Sequence, residues 1–244
     1  MTAVQTHNYI TKQFSSLTFE EKRHIYCWEG ARVPRSVSAL VEEHVPPFDK
    51  TKWLPICAKK ENISEHELEH RWQTINQLAC DLGHETHAFM ERYSGLQTPM
   101  TPQEQAGIKF LTFILKEYEI VAREIRMYSR EFGYAGTADL LLRHRKTGEL
   151  ALADYKTNAD LFKRWAMLLF PFNYLENHPY NHYQLQFSYY QIMLEEIGLS
   201  ITKRLLAYLK ADATYKIYEC YSFVDQLKTH LIERSKLIPD YVAW

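Results

Sequence analysis

Four cysteines, Cys27, Cys57, Cys80 and Cys220, are scattered over 244 residues, and no two form a CxxC pair. That spacing speaks for buried free thiols in a reducing compartment. It speaks against a disulfide framework or a cysteine-held zinc. No apolar run reaches about 18 residues, so no membrane span is expected. Residues 1–20 carry neither the apolar core of a signal peptide nor an Arg-rich transit pattern. A cytoplasmic location is therefore expected, or the host cytoplasm for a viral chain. Charge of one sign is not in excess either: 29 basic residues face 30 acidic ones, leaving a net charge of −1. Overall charge thus does not announce a nucleic-acid partner, and any basic surface must be local. Repeats, low-complexity tracts and a GxxxxGK[ST] phosphate loop are all missing from the sequence.

What the chain does contain is a globular balance, with 46% hydrophobic and 24% charged residues. This suffices for one sizeable domain over 1–244. Its parts are an N-terminal hairpin and irregular segment (1–63), a helical part (64–117) and a core (118–244). Tyrosine is abundant, at 17 residues. Such aromatics suit a core, or a surface that stacks bases.

Local signals divide the chain further. Residues 1–16 read as loosely ordered, and Thr18 to Glu21 as a short capping box. Residues 23–41 alternate around Glu29-Gly30, which suggests a small hairpin. Residues 42–60 contain prolines and read as irregular. Ser64 and Glu67 box the start of a long helix over about 64–93. Leu68, Trp72, Ile75, Leu78, Ala79, Leu82, Phe89 and Tyr93 recur along it at helical spacing. Gly83 inside it suggests close approach of another backbone. Thr101, Pro102 and Glu104 open a second helix, to about Lys116. Strands are expected at 119–131, 135–144, 149–157, 203–210 and 214–222, and helices at 182–197 and 224–237. Residues 158–182 form a connection too long for an ordinary loop. This order predicts a mixed α/β (α+β) fold, one central mixed sheet flanked by helices.

The stretch GTADLLLRHRKTGELALADYKT (136–157) carries the chemistry. With Arg145–Gly148 as the turn, the register places Asp139 opposite Asp154, about 4.5–5.5 Å apart. A one-residue bulge at Gly148 would shift it. Lys156, two residues past Asp154, falls on the same face. Paired carboxylates repel, and burial raises the cost. A hard divalent cation between them removes the conflict, and a lysine beside it can orient water or steady charge. The bland reading is a solvated face of an edge hairpin. Leu140–Leu142 and the run 150–153 are too apolar to favour it.

G-T-x-D followed by D-Y-K on a hairpin resembles the PD-(D/E)XK nuclease superfamily, and more narrowly its RecB-type exonuclease branch. Gly83-x3-His87-x3-Glu91 on the helix before the strands and Gln186-x3-Tyr190 on the helix after them fit that resemblance, with Gln184 competing with Gln186. Glu124 precedes GTAD on a strand, where related nucleases carry an acid. The likeness covers about residues 80–210. The opening HIYCWEGARVPRSVSALV is similar to that of phage-type and mitochondrial-exonuclease-like members, with one Arg inserted and Ser38 in place of Thr.

The resemblance implies a restriction-endonuclease-like core with an N-terminal helical elaboration. It implies that His87, Asp139 and Asp154 hold Mg²⁺ or Mn²⁺ together with the Tyr155 carbonyl, and that Lys156 positions the attacking water. Ser36 and Ser38 then contact phosphate. Lys163, Arg164 and Trp165 form either a strand-guiding wall or part of a hydrophobic cover. No iron–sulfur cluster is expected, because Cys220 lacks its companions. The implied partners are DNA, single-stranded or with a free end, and a single-strand-binding protein or recombinase. The rivals are a restriction- or repair-type endonuclease, and a catalytically inactive DNA-binding protein on the same fold.

Overall fold

The computed structural model describes residues 1–237. The run LALADYK forms a strand, β7 (Leu150–Lys156), buried up to its last residue. A strand buried on both faces needs cover on both. β7 pairs antiparallel with β6 (Tyr134–His144) and parallel with β8 (Ile201–Leu209). Helix α6 (Pro179–Glu196) lies between β7 and β8 in the chain, as a parallel crossover requires. β9 (Tyr215–Glu219) extends the sheet beyond β8, and β5 (Tyr118–Ser129) runs antiparallel along the whole of β6.

The remaining edge of β6 is shared. A two-residue strand, β4 (Arg35–Ser36), takes Tyr134 and Ala135, while β7 takes Leu140–Arg143. Between those contacts the edge of β6 forks away from its neighbours. Leu150 and Leu152 of β7 join a core that includes Leu185, Phe187 and Tyr190 of α6. Ala151, Ala153 and Tyr155 face the other way, onto Phe110 and Leu111 of α5 (Pro102–Ile114). Asp154 and Lys156 continue the first of these two faces by strand alternation.

The two expected caps are present. Ser64 caps α4 (Glu65–Arg92), and Thr101 and Glu104 form a reciprocal box at the start of α5, with Pro102 in its first turn. The Glu29-Gly30 turn is also present, with φ of 52° and 85° at its two residues. It joins β2 (Ile25–Trp28) to β3 (Ala31–Arg32).

Other N-terminal expectations are corrected. Residues 1–16 are not loose, since α1 (Ala3–Gln13) is closed by a Thr2–Gln5 capping box and buries Ile10. Thr18 to Glu21 is no capping box, since β1 (Leu17–Glu20) pairs with β2. The hairpin ends at Arg32, and the chain goes on to α2 (Val37–Glu42). Residues 42–60 are not all irregular: α3 (Lys50–Glu61) forms with Pro55 inside it. Gly83 does not admit another backbone closely, because a Cβ there would meet only Thr157 Oγ1, at 3.7 Å. The last helix is α7 (Val224–Leu237), and residues 238–244, counted in the expected core, lie outside the described residues.

Candidate metal centre

The β6–β7 register is the one that faces Asp139 with Asp154. Leu140 pairs with Ala153 and Arg143 with Leu150, with no shift between them. The turn holds because Gly148 takes a φ of 77° and His144 N donates to Glu149 O at 2.8 Å. The ladder stops at Leu140. One residue further, at the fork, Asp139 Oδ2 accepts the Tyr155 backbone N–H at 3.0 Å. The fork therefore lets a side chain from one strand take a main-chain donor of the other.

His87 reaches the same carboxylate from α4, with Nδ1 3.1 Å from Asp139 Oδ2. Lys156 Nζ lies 2.7 Å from Asp154 Oδ1. One donor atom each from His87, Asp139 and Asp154 falls within a span of 4.8 Å. Burial disfavours charge on all of these groups, and their mutual fields decide the outcome. Burial and the neighbouring Asp139 push the Asp154 carboxyl up. Asp139 is held below the usual carboxylate range despite its burial, because His87 is beside it. The His87 imidazole is lifted to about 9 by Asp139 against its own desolvation. Asp154 raises Lys156 in the same way.

Two carboxylates and one imidazole are a donor set that could hold a divalent metal ion. Asp154 Oδ1 is buried, and the Lys156 ammonium 2.7 Å away leaves a lone pair of that oxygen unused. An acceptor left in that condition fits a metal ligand.

His87, Asp139 and Lys156 line a cleft of about 550 Å³, while Asp154 is buried and outside that lining. Asn76, Cys80, Gly83 and His87 of α4 make one wall, and Asn158 and Tyr183 contribute to the other. Glu124 lines the cleft beside Asp139, outside the three-donor cluster. Its carboxyl is raised to about 7, by burial first and then by Asp139. Its φ is +46°, a left-handed backbone inside a strand, which costs on the order of 1–3 kcal/mol for a side-chain-bearing residue.

Gln186 Nε2 donates to Tyr190 Oη at 2.8 Å, and Tyr190 is buried near Asp154. Gly136 explains how the ring fits: a Cβ there would stand 2.8 Å from Tyr190 Cε1 and 2.7 Å from Val37 Cγ2. Gln184, the competing candidate, is used elsewhere. Its side chain accepts the Tyr221 N–H at 2.8 Å and donates to Asn181.

Ser36 and Ser38 lie outside the cleft lining. Ser36 Oγ caps α2 by accepting the Ala39 N–H, and Ser38 Oγ is 3.4 Å from it. Lys163, Arg164 and Trp165 also lie outside that lining and are exposed, with Arg164 paired to Glu176. Leu161, Leu168 and Phe172 of the same connection are buried in the core. The connection is thus a cover with an outward-facing basic and aromatic side.

The sequence reading missed Tyr183 and Asn158. Lys156 Nζ sits 4.6 Å from the Tyr183 ring centroid, and Tyr183 Oη donates to Asn158 Oδ1 at 2.7 Å. Helical spacing carries the signal, because Tyr183, Gln186 and Tyr190 stand at i, i+3 and i+7 on one face of α6.

No family model matches the chain, and no curated protein matches it. Among solved structures, SSO0001 aligns over 98% of this chain and 86% of its own, at 15% identity and a TM-score of 0.41.

Proposed function

We propose that this protein is a metal-dependent nuclease of the PD-(D/E)XK type, hydrolysing DNA phosphodiester bonds as an exonuclease on single strands or strand ends. One observation carries the reading: His87, Asp139 and Asp154 bring donor atoms within 4.8 Å beside Lys156, and His87, Asp139 and Lys156 line an open cleft. His87, Asp139 and Asp154 would hold Mg²⁺ or Mn²⁺, with the Tyr155 carbonyl as a further ligand. A metal held there would supply Lewis-acid charge to a phosphoryl oxygen and would make bound water more acidic.

The remaining work falls to the chain. Asp154 and the Tyr183 ring hold the Lys156 ammonium from two sides. Lys156 is thereby held beside the metal donors as a positioning group for the attacking water. It orients the water and balances charge in the transition state. Gln186 and Tyr190 fix the α6 wall of the fork through their mutual hydrogen bond.

The test is digestion of end-labelled DNA, single- and double-stranded, linear and circular, with and without Mg²⁺ or Mn²⁺. Linear strands shortening from their ends while circles survive is the expected result. Nicking of closed circles would replace the exonuclease with an endonuclease. Binding without cutting under either metal would remove the nuclease reading.

A further inference from the structure

Three aromatic rings from distant parts of the chain meet away from the metal cleft. Phe48 precedes α3, Trp72 is on α4, and Trp165 is in the connection after β7. The Phe48 ring lies 5.9 Å from Trp72 and 6.1 Å from Trp165, edge to face in both cases. That packing leaves much of the rings open: Phe48 and Trp165 are each 52% exposed. An exposed aromatic cluster of this kind marks a contact surface. Cations stand near it in the chain. Lys163 is two residues from Trp165, and Lys52 is on α3; both are exposed and join no ion pair among the described residues. Flat apolar faces among cations fit an anionic polymer with flat bases, better than a peptide or a second copy of this chain.

The cluster is tied to the metal centre by α4. Trp72 lies fifteen residues before His87, about 22 Å along the axis at 1.5 Å per residue. At 3.6 residues per turn the two differ by only about 60° in direction. Asn76, Ala79 and Gly83 fill the same stripe between them, and all three line the cleft. The stripe thus runs from the cluster to the metal ligand with small or polar side chains between.

We infer that Phe48, Trp72 and Trp165 form a stacking platform for unpaired bases of a strand whose phosphate sits at the metal centre. This rests on the nuclease reading for the position of the reacting phosphate. The separation takes up about six nucleotides at the duplex rise of 3.4 Å, and fewer in an extended single strand.

The test uses the full chain with Mg²⁺ and measures the affinity for fluorescent, cleavage-resistant phosphorothioate oligothymidylates of two and twelve nucleotides. The twelve-mer reaches both sites and the dinucleotide only one. The wild type binds the twelve-mer at least tenfold more tightly than the dinucleotide. Trp165→Ala lowers that ratio by about tenfold, the order expected for one stacked base, and Trp165→Tyr restores most of it. Phe48→Ala acts in the same direction. Equal twelve-mer affinity in wild type, Trp165→Ala and Phe48→Ala overturns the inference. So does a Trp165→Ala variant that changes only self-association, which would make the cluster a face between copies. A retained length step in a protein that never cuts DNA supports the platform while removing the nuclease reading, so the two fail separately.

Discussion

Gly136→Ala tests whether the start of the GTAD stretch and the end of the Gln186–Tyr190 pair depend on each other. The new methyl would lie 2.7 Å from Val37 Cγ2 and 2.8 Å from Tyr190 Cε1, where carbon atoms pack best at about 3.5–4.0 Å. Neither neighbour has room to retreat, with Val37 1% and Tyr190 4% exposed. Overpacking of this kind costs about 1–3 kcal/mol. In a chain of this size each kcal/mol shifts the melting temperature by about 2–4 °C, so a mid-range cost lowers it by about 4–8 °C. The Tyr190 ring must also give way, which loosens its bond to Gln186, so cleavage falls although every metal donor remains. Thermal melts and cleavage rates read the two effects. Adding Val37→Ala removes one of the clashing atoms, and the double variant is then more stable than the two single effects predict, by about 0.5–3 kcal/mol. A Gly136→Ala protein that melts like the wild type, or a strictly additive pair, would refute the packing argument.

Further outcomes follow from the same geometry. Mn²⁺ or Mg²⁺ at a hundredfold excess over Kd stabilises the fold by about 2.7 kcal/mol, raising the melting temperature by about 5–11 °C. Melts with and without EDTA show this rise, and Asp154→Asn abolishes most of it. Lys156→Met leaves Asp139 and Asp154 buried with one cation fewer. It costs about 3–5 kcal/mol of stability, read by denaturant titration, and lowers the cleavage rate on the order of 10²-fold or more. His44 gives a pH signature. Burial, with His230 next in effect, lowers its pKa from 6.5 to about 4 in the folded chain. The folded state therefore resists protonation there. The associated stability is complete above the unfolded value near pH 6.5 and is lost as pH falls towards 4, amounting to about 3 kcal/mol. Denaturant melts at pH 7, 5.5 and 4 follow the loss, and His182, also lowered to about 4, adds in the same direction.

The parts of the fold legible in the sequence are those where several local signals agree. Thr101, Pro102 and Glu104 are a cap, a first-turn proline and a returning carboxylate in the correct order, and α5 begins there. The hairpin was readable because Gly148 supports the turn and a single register runs from it to Leu140 and Ala153. Asp139 meeting Asp154 follows from that register and Lys156 from strand alternation, whereas His87 was legible only through the family resemblance of its motif. Tertiary contacts decide the rest. α1 buries too few side chains to show a periodic stripe. Pro55 argues locally against α3, which forms around it. Ile75 and Leu78 have helical spacing yet are 58% and 63% exposed, so the spacing marks the helix without marking a buried face. Tyr183 acts on Lys156 through its ring face, a contact with no signature except its place on α6. The left-handed backbone at Glu124 has no sequence signal at all.

The wall that α4 gives the cleft has a mechanical character. Residues 73–81 are exposed on every side, while Leu68 near one end and Thr86 and Met90 near the other are buried. Nothing along that span packs it against the body, so it is a beam clamped at two supports. Its own hydrogen bonds and contacts such as Gln77 Nε2 to Asp81 Oδ1, at 2.8 Å, provide its stiffness. Free helices of such length are marginal in water, and the clamps remove the need to nucleate this one. The width of the cleft is therefore governed by elastic bending between the supports, and any ligand touching the span works as a brace.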